Sequence, residues 1–110
     1  MKEKYFVYSI QDEHGDIIYI GYTNNIKRRL NEHQRGTRTF KKYKNLYEYC
    51  KQNSIFIDGL NIIGIYDNKL DAKLHEAYYI LEEKLIKKNT KLQNVFLESF
   101  YLTNHKLEPD

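Results

Sequence analysis

The sequence contains a single cysteine, a single proline and no tryptophan. Because one cysteine cannot form an internal disulfide or a cysteine-built zinc site, we expect Cys50 to be a small, partly buried side chain in a reducing, intracellular setting. No apolar run approaches the roughly 20 residues of a membrane-spanning helix, and residues 1–5 lead into strand-like sequence without the apolar region of a signal peptide. These absences predict a cytoplasmic protein that has no membrane partner.

Repeats, low-complexity stretches and linkers are also absent. The chain length predicts one compact domain, residues 1–110, with little room for a second. Hydrophobic residues make up 41% of the sequence, and many of them are isoleucine, leucine or aromatic, so a packed core is expected.

Positive charge is concentrated in one part of the chain. The net charge is only +3, yet residues 26–51 hold nine basic residues against two acidic ones, which gives this segment +7 and the rest −4. The basic residues are Lys27, Arg28, Arg29, Arg35, Arg38, Lys41, Lys42, Lys44 and Lys51. Such a block indicates a surface that faces a polyanion, although a solvated helix with ordinary lysines has the same composition. Tyr43, Tyr47 and Tyr49 interleave with these charges in a pattern that suits both base stacking and core packing.

Turn and cap residues divide the chain into six elements. Residues 5–10 and 16–22 are β-branched and aromatic runs that predict a hairpin with its turn near His14 and Gly15. The further predicted elements are helices at 26–34 and 41–52, a strand at 61–66 and a helix at 69–88, with cap candidates at 23–25, 67 and 68 and a helix-ending Gly36. The order ββααβα predicts a small α+β fold whose helices pack on a mostly antiparallel sheet.

The predicted hairpin brings two tyrosines together. If Gln11 pairs with Asp16 across a four-residue loop, Tyr8 directly faces Tyr19, and the two phenols share one face of the sheet. A one-residue slip would separate them. Paired tyrosines are also common packing devices, so this feature alone does not assign a function.

The first predicted helix directs Arg29 and His33 toward the sheet. At 100° per residue both lie near the face of Ile26 and Leu30, one turn apart, whereas Arg28 points into solvent. A histidine on an apolar face is often a core residue with satisfied hydrogen bonds. An arginine keeps its charge and needs an anionic partner, for which a phosphate is the obvious candidate.

The last predicted helix carries two apolar stripes. The main core stripe is expected at Leu70, Leu74, Ala77, Tyr78, Leu81 and Leu85. A second, partial stripe holds Ala72, Tyr79, Ile80 and Ile86, and Glu76 lies within it. A buried carboxylate is costly unless a cation or strong donors meet it. Glu76 therefore either pairs at the surface with a residue such as Lys73 or holds a hard divalent ion together with water.

Phenol, guanidinium, imidazole and carboxylate groups form a set that suits phosphodiester hydrolysis. A phenol or an imidazole can take a proton from water. Arg29 can neutralise the charge that grows on the phosphoryl oxygens, and a metal on Glu76 can polarise the phosphate.

At these positions the chain resembles the GIY-YIG nuclease family over about residues 5–95. Residues 6–8 (FVY) stand where the GIY triplet would be, and residues 19–21 (YIG) match the second triplet in full. Residues 26–33 match the arginine-containing helix of the family. Residues 74–77 match the segment with the metal-binding glutamate, and Asn94 matches the C-terminal asparagine. Two departures are visible. Phe6 replaces the usual glycine, and residues 39–42 lack the second histidine of some relatives, which leaves the general base unassigned.

The resemblance implies a three-stranded antiparallel sheet flanked by helices and one-metal hydrolysis, with Mg²⁺ or Mn²⁺ on Glu76. It implies that Tyr8 helps to activate the water and that Tyr19 supports it or contacts phosphate. It also implies that Arg29 binds the scissile phosphate. His33 matches a histidine found in part of the family, and Asn94 would have a supporting role.

The expected function is a metal-dependent endonuclease acting on DNA, from a bacterial, phage or viral source. The residues expected to bind the nucleic acid are Lys27, Arg28, Arg35, Arg38, Lys41 and Lys42. A protein partner or a homodimer would supply specificity that a short chain lacks. Two alternatives stay open: a structure-specific repair or junction nuclease module that needs a partner, and a non-catalytic nucleic-acid-binding domain, which would not require Glu76.

Overall fold

The fold is known from a computed structural model that describes residues 3–36 and 43–94. Its elements are strands β1 (Tyr5–Gln11), β2 (Ile17–Thr23) and β3 (Asn61–Tyr66) and helices α1 (Ile26–Arg35), α2 (Lys44–Gln52) and α3 (Lys69–Leu81), the last continued by a π-helical turn, Glu82–Ile86. The three strands form one antiparallel sheet in the order β2-β1-β3. The predicted α+β fold and the element order ββααβα are confirmed.

Local sequence explains most element boundaries. Asn25 caps α1 by accepting a hydrogen bond from the Arg28 backbone N–H, and Gly36 ends the helix in the left-handed conformation, with a φ of 58°. Asn68 caps α3 in the same way through the Asp71 N–H. The predicted start of α2 at residue 41 falls outside the described residues, which show this helix from Lys44 onward.

The hairpin register differs from the predicted one. Tyr8 pairs with Gly21, and Tyr19 pairs with Ile10, so Tyr8 and Tyr19 are not directly opposed. The prediction is wrong because the turn closes through Asp12 and Asp16, which shifts the pairing by one residue, and a bulge next to Gln11 adds a second, so that the total shift is two residues. An even shift keeps both phenols on one face of the sheet, and their ring centroids are 6.5 Å apart.

Two hydrophobic clusters cover the two faces of the sheet. One contains the tyrosines of both hairpin strands together with residues of α1 and α2: Tyr8, Ile10, Ile18, Tyr19, Tyr43, Leu46, Cys50 and Ile57 are buried there. The other packs α3 against the opposite face through Val7, Ile20, Ala72, Ile80 and Leu92. Within the described residues, no helix is long and apolar enough to cross a membrane.

The helix α3 turns a different face to the sheet from the one predicted. Four members of the predicted core stripe, Leu70, Leu74, Tyr78 and Leu85, are exposed. Ala72 and Ile80 of the second stripe are buried against the sheet instead, and Glu76 is buried between them, whereas Ile86 of that stripe is exposed. Periodicity alone could not choose between two apolar stripes on opposite sides of one helix.

Candidate active site

Tyr8 lies at the centre of the site on the middle strand β1. Its side chain is fully buried, and its ring lies across Gly21 of β2. A Cβ at position 21 would come within 2.5 Å of the Tyr8 Oη and 2.7 Å of its Cζ. Glycine is therefore required at position 21 because there is no space for a side chain. A conformational reason is excluded, since the backbone φ of Gly21 is not in the left-handed region.

His33 connects Tyr8 to helix α2. Its Nε2 lies 2.8 Å from the Tyr8 hydroxyl, and its Nδ1 lies 3.0 Å from the Tyr47 hydroxyl. The ring is 2% exposed and is surrounded edge-on by Tyr8, Tyr19, Tyr43 and Tyr47, with centroid distances from 4.8 to 5.9 Å. The histidine is thus a buried residue with a phenol on each ring nitrogen.

Arg29 lies one turn before His33 on the same face of α1. Its Nε donates to the Glu32 carboxylate at 3.0 Å, and its Nη1 donates to the Tyr22 carbonyl at 3.1 Å and the Tyr43 hydroxyl at 2.8 Å. The Arg29 side chain is 16% exposed, whereas that of Arg28 is 50% exposed. The predicted orientations of both arginines are confirmed, and the anionic partner that Arg29 requires is supplied within the chain by Glu32.

Burial dominates the electrostatics of the phenols. It raises the pKa of Tyr8 and Tyr19 well above the ordinary value, and the positive charge of Arg29 only partly opposes this increase. Burial by itself would lower the Arg29 pKa, but the nearby phenols Tyr8 and Tyr43 raise it overall. At neutral pH the cluster therefore contains protonated phenols beside a permanently charged guanidinium.

Glu76 brings a carboxylate from α3 close to the phenols. It is 7% exposed, and its charge raises the pKa of Tyr8, Tyr19, Tyr22 and Tyr43. Among the described residues, no three His, Cys, Asp or Glu side chains come together as a metal cage. If a cation binds at this carboxylate, most of its ligands must come from water or from a bound anion.

Tyr19 has the free hydroxyl of the cluster. The described part of the chain offers it no hydrogen bond, and no fully buried side-chain oxygen or nitrogen there lacks a partner. The Tyr19 hydroxyl therefore keeps a small solvent-accessible area, although the residue as a whole is 5% exposed and its ring packs on His33 and Tyr43. This arrangement suits contact with an external group.

Asn94 forms hydrogen bonds to the outer edge of strand β2. Its Oδ1 accepts a hydrogen bond from the Ile20 N–H at 2.9 Å, and its Nδ2 donates to the Ile20 carbonyl at 2.7 Å. Gln93 and Asn89 also bond to β2, through the carbonyls of Ile18 and Ile17. These contacts satisfy the otherwise open edge of the sheet, so Asn94 supports the strand that carries Tyr19 and Gly21.

The predicted nucleic-acid-binding residues of α1 lie on its outer side. Lys27, Arg28 and Arg35 are exposed, whereas Arg38, Lys41 and Lys42 lie outside the described residues. The positions of Tyr43 and Tyr47 in the sequence suit both base stacking and core packing, and the structure brings both hydroxyls onto the site. The signal was available in the spacing, because residues 43 and 47 are one helical turn apart, like Arg29 and His33.

Tyr8, Tyr19, Arg29 and His33 thus belong to one cluster, and the charge of Glu76 acts on its phenols. Tyr8 and Tyr19 come from the hairpin, Arg29 and His33 from α1, and Glu76 from the opposite side of the sheet. A family model of the GIY-YIG catalytic domain matches residues 4–94. Comparison with the curated proteins and with the solved structures gave no match. Because the family model matches most of the chain and the structure has the fold expected from the sequence, the chain belongs to the GIY-YIG catalytic domain family, a family of endonucleases.

Proposed function

We propose that this chain hydrolyses phosphodiester bonds in DNA with the help of a divalent metal ion. The observation that carries the proposal is the hydrogen bond between Tyr8 and His33, buried beside the guanidinium of Arg29. A phenol, an imidazole that can accept its proton and a fixed cation are the groups that activate water and stabilise a phosphoryl transition state.

The residues present fit a hard divalent cation such as Mg²⁺ or Mn²⁺. Glu76 supplies a nearly buried carboxylate close to the phenols, and Mg²⁺ commonly binds one or two carboxylates together with water and substrate phosphate. When bound, the ion polarises the phosphate and offsets the negative charge of the leaving oxygen.

The proton transfers that the chain itself can perform start at Tyr8. Its pKa is raised by burial, so free phenolate does not accumulate at neutral pH. The Tyr8 O–H bond breaks as an N–H bond forms at His33 Nε2, 2.8 Å away. The phenolate then takes a proton from water as the water oxygen attacks phosphorus, and the bond to the leaving sugar oxygen breaks on the opposite side.

Substrate binding has to open the path to Tyr8, because this side chain is fully buried without substrate. Arg29 is partly exposed and is held by Glu32 and the Tyr22 carbonyl. We propose that a substrate phosphate replaces some of these contacts and reaches the guanidinium together with the Tyr19 hydroxyl. A bidentate arginine–phosphate pair is strong enough to drive such an exchange.

The decisive experiment measures cleavage and binding together. Wild-type protein is incubated with supercoiled plasmid, a branched duplex and single strands, with Mg²⁺ or with a chelator, beside Glu76→Ala and Tyr8→Phe. We expect nicking only with the metal, and near-complete loss in both variants. The absence of metal-dependent cleavage of every substrate would overturn the proposal in favour of a binding domain, and equal cleavage by Glu76→Ala would overturn the metal ligand. Preference for the branched duplex would identify a structure-specific nuclease.

A further inference from the structure

The hydrogen bonds of His33 raise the question of which ring nitrogen carries the proton. A neutral imidazole has one N–H and one lone pair, and its partners decide which nitrogen is protonated. Each ring nitrogen lies at hydrogen-bond distance from a phenol, Tyr8 at Nε2 and Tyr47 at Nδ1. A phenol can donate or accept, so the choice depends on what else surrounds each hydroxyl.

The surroundings of the Tyr8 hydroxyl favour donation of its proton to His33. The side chain is fully buried, and the Arg29 guanidinium lies close enough to oppose the increase in the Tyr8 pKa. A guanidinium has no acceptor, and its positive charge repels the phenolic proton. Within the described residues, the acceptor at hydrogen-bond distance from that proton is His33 Nε2.

The surroundings of the Tyr47 hydroxyl are different. Tyr47 lies on α2 and is only partly buried, and its oxygen is 3.0 Å from Nδ1. This oxygen can accept a proton from Nδ1–H while its own O–H bonds to solvent. The two hydroxyls are therefore not equivalent, and the asymmetry favours a proton on Nδ1.

We propose that Tyr47 is a positioning residue that holds His33 in the Nδ1-protonated tautomer, so that Nε2 is free to take the proton of Tyr8. The proposal rests on the nuclease function proposed above for its effect on catalysis, but its tautomer claim concerns the free protein. In the transfer, the Tyr8 O–H bond breaks and the Nε2–H bond forms. The Nδ1–H bond to Tyr47 persists and stabilises the imidazolium that results.

Nitrogen-15 NMR of the imidazole in the free, full-length protein tests the tautomer directly. We expect a protonated Nδ1 and an unprotonated Nε2 at neutral pH in the wild type, and a loss of this preference in Tyr47→Phe. Tyr49→Phe is the matched control, since it removes a hydroxyl from the same helix, and Tyr49 is not in contact with His33 among the described hydrogen bonds. A wild-type His33 protonated at Nε2, or an unchanged preference in Tyr47→Phe, would overturn the proposal whether or not the protein cleaves DNA.

The catalytic consequence is measured by steady-state kinetics over pH. Removing a partner that fixes a histidine tautomer typically costs roughly 10- to 100-fold in activity at metal-ligating histidines, and we expect a loss of that order in kcat for Tyr47→Phe. KM should change little if Tyr47 acts through His33, and the acid limb of the pH profile should shift. Unchanged kcat and pH profile in a cleaving protein would contradict the role of Tyr47, whereas a wild type that cleaves nothing would contradict the proposed function.

Discussion

Gly21 offers the most direct mechanical test of the site, because a methyl group there collides with Tyr8. In Gly21→Ala the new Cβ would meet the Tyr8 Oη at 2.5 Å, Cζ at 2.7 Å and Cε2 at 3.0 Å. The ring cannot move easily, because it is fully buried and bonded to His33. Overpacking of this kind costs about 1–3 kcal/mol, and loss of the Tyr8–His33 hydrogen bond adds about 0.5–1.5 kcal/mol.

The assay compares the free energy of unfolding in urea with the cleavage rate. We expect Gly21→Ala to lose about 2–4 kcal/mol of stability and at least about 100-fold in rate, because a displacement near 1 Å of a reacting group has that effect. Gly64→Ala is the matched control, since a Cβ there would also meet a tyrosine ring, that of Tyr66. Tyr66 is partly exposed and bonds to exposed His75, so it can turn outward, and the loss should be about 1 kcal/mol or less.

The double variant Gly21→Ala/Tyr8→Phe separates the collision from the chemistry. Tyr8→Phe removes the atom that lies nearest to the new methyl group. The double variant should therefore lose less stability than the sum of the losses in the two single variants, while cleavage stays abolished. Wild-type stability and wild-type cleavage in Gly21→Ala would refute the reasoning, because they would mean that the Tyr8 ring does not lie across Gly21.

Three further predictions follow from the charges and the buried groups. Burial raises the folded-state pKa of Tyr8 and Tyr19 above the unfolded value, so their contribution to stability is complete below pH ~10 and is lost at higher pH. Urea unfolding monitored by circular dichroism should show a decline of about 1.4 kcal/mol per pH unit for each phenol; stability that is flat to pH ~11 would contradict this. Burial also raises the pKa of the Cys50 thiol to about 11, so iodoacetamide should label it slowly in the native protein at pH ~8 and rapidly in denaturant, and rapid native labelling would contradict its burial. Finally, Lys27→Ala and Arg28→Ala should each flatten the dependence of log K for DNA binding on log salt by about 0.9, and an unchanged slope would remove those residues from the interface.

The fold was predictable from the sequence where local signals and tertiary packing agree. The strand at β3, the helix caps Asn25 and Asn68 and the end of α1 at Gly36 all follow from short-range chemistry. The orientation of Arg29 was predictable as well, because α1 has one apolar face. Each of these features depends on a few neighbouring residues.

Two predictions, the hairpin register and the buried face of α3, are wrong because in each case one sequence pattern fits two different structures. The hairpin register depended on a bulge beside Gln11, which alternation does not reveal. The helix α3 has two apolar sides, and only packing against the sheet selects the side of Ala72 and Glu76. Glu76 was nevertheless singled out correctly as a buried carboxylate, because its place within an apolar stripe is a local feature of the sequence.

The candidate site was partly predictable for a similar reason. Tyrosine, arginine, histidine and glutamate were expected to meet because their chemistry is complementary. Tyr43 and Tyr47 were left ambiguous, because tyrosine suits both a core and a surface. Their hydroxyl contacts with Arg29 and His33 depend on how α2 crosses α1, which no short-range pattern encodes.

The central claim is that Tyr8, acting through His33, supplies the proton transfer for cleavage. Its most direct test is the single-turnover rate of Tyr8→Phe on a labelled duplex, with Mg²⁺ and with protein in excess over the measured Kd. We expect a rate lower by about 100- to 10,000-fold, the usual contribution of general acid–base catalysis, with DNA affinity close to that of the wild type. A Tyr8→Phe rate equal to the wild-type rate, in a variant that is folded and binds DNA, would contradict the account.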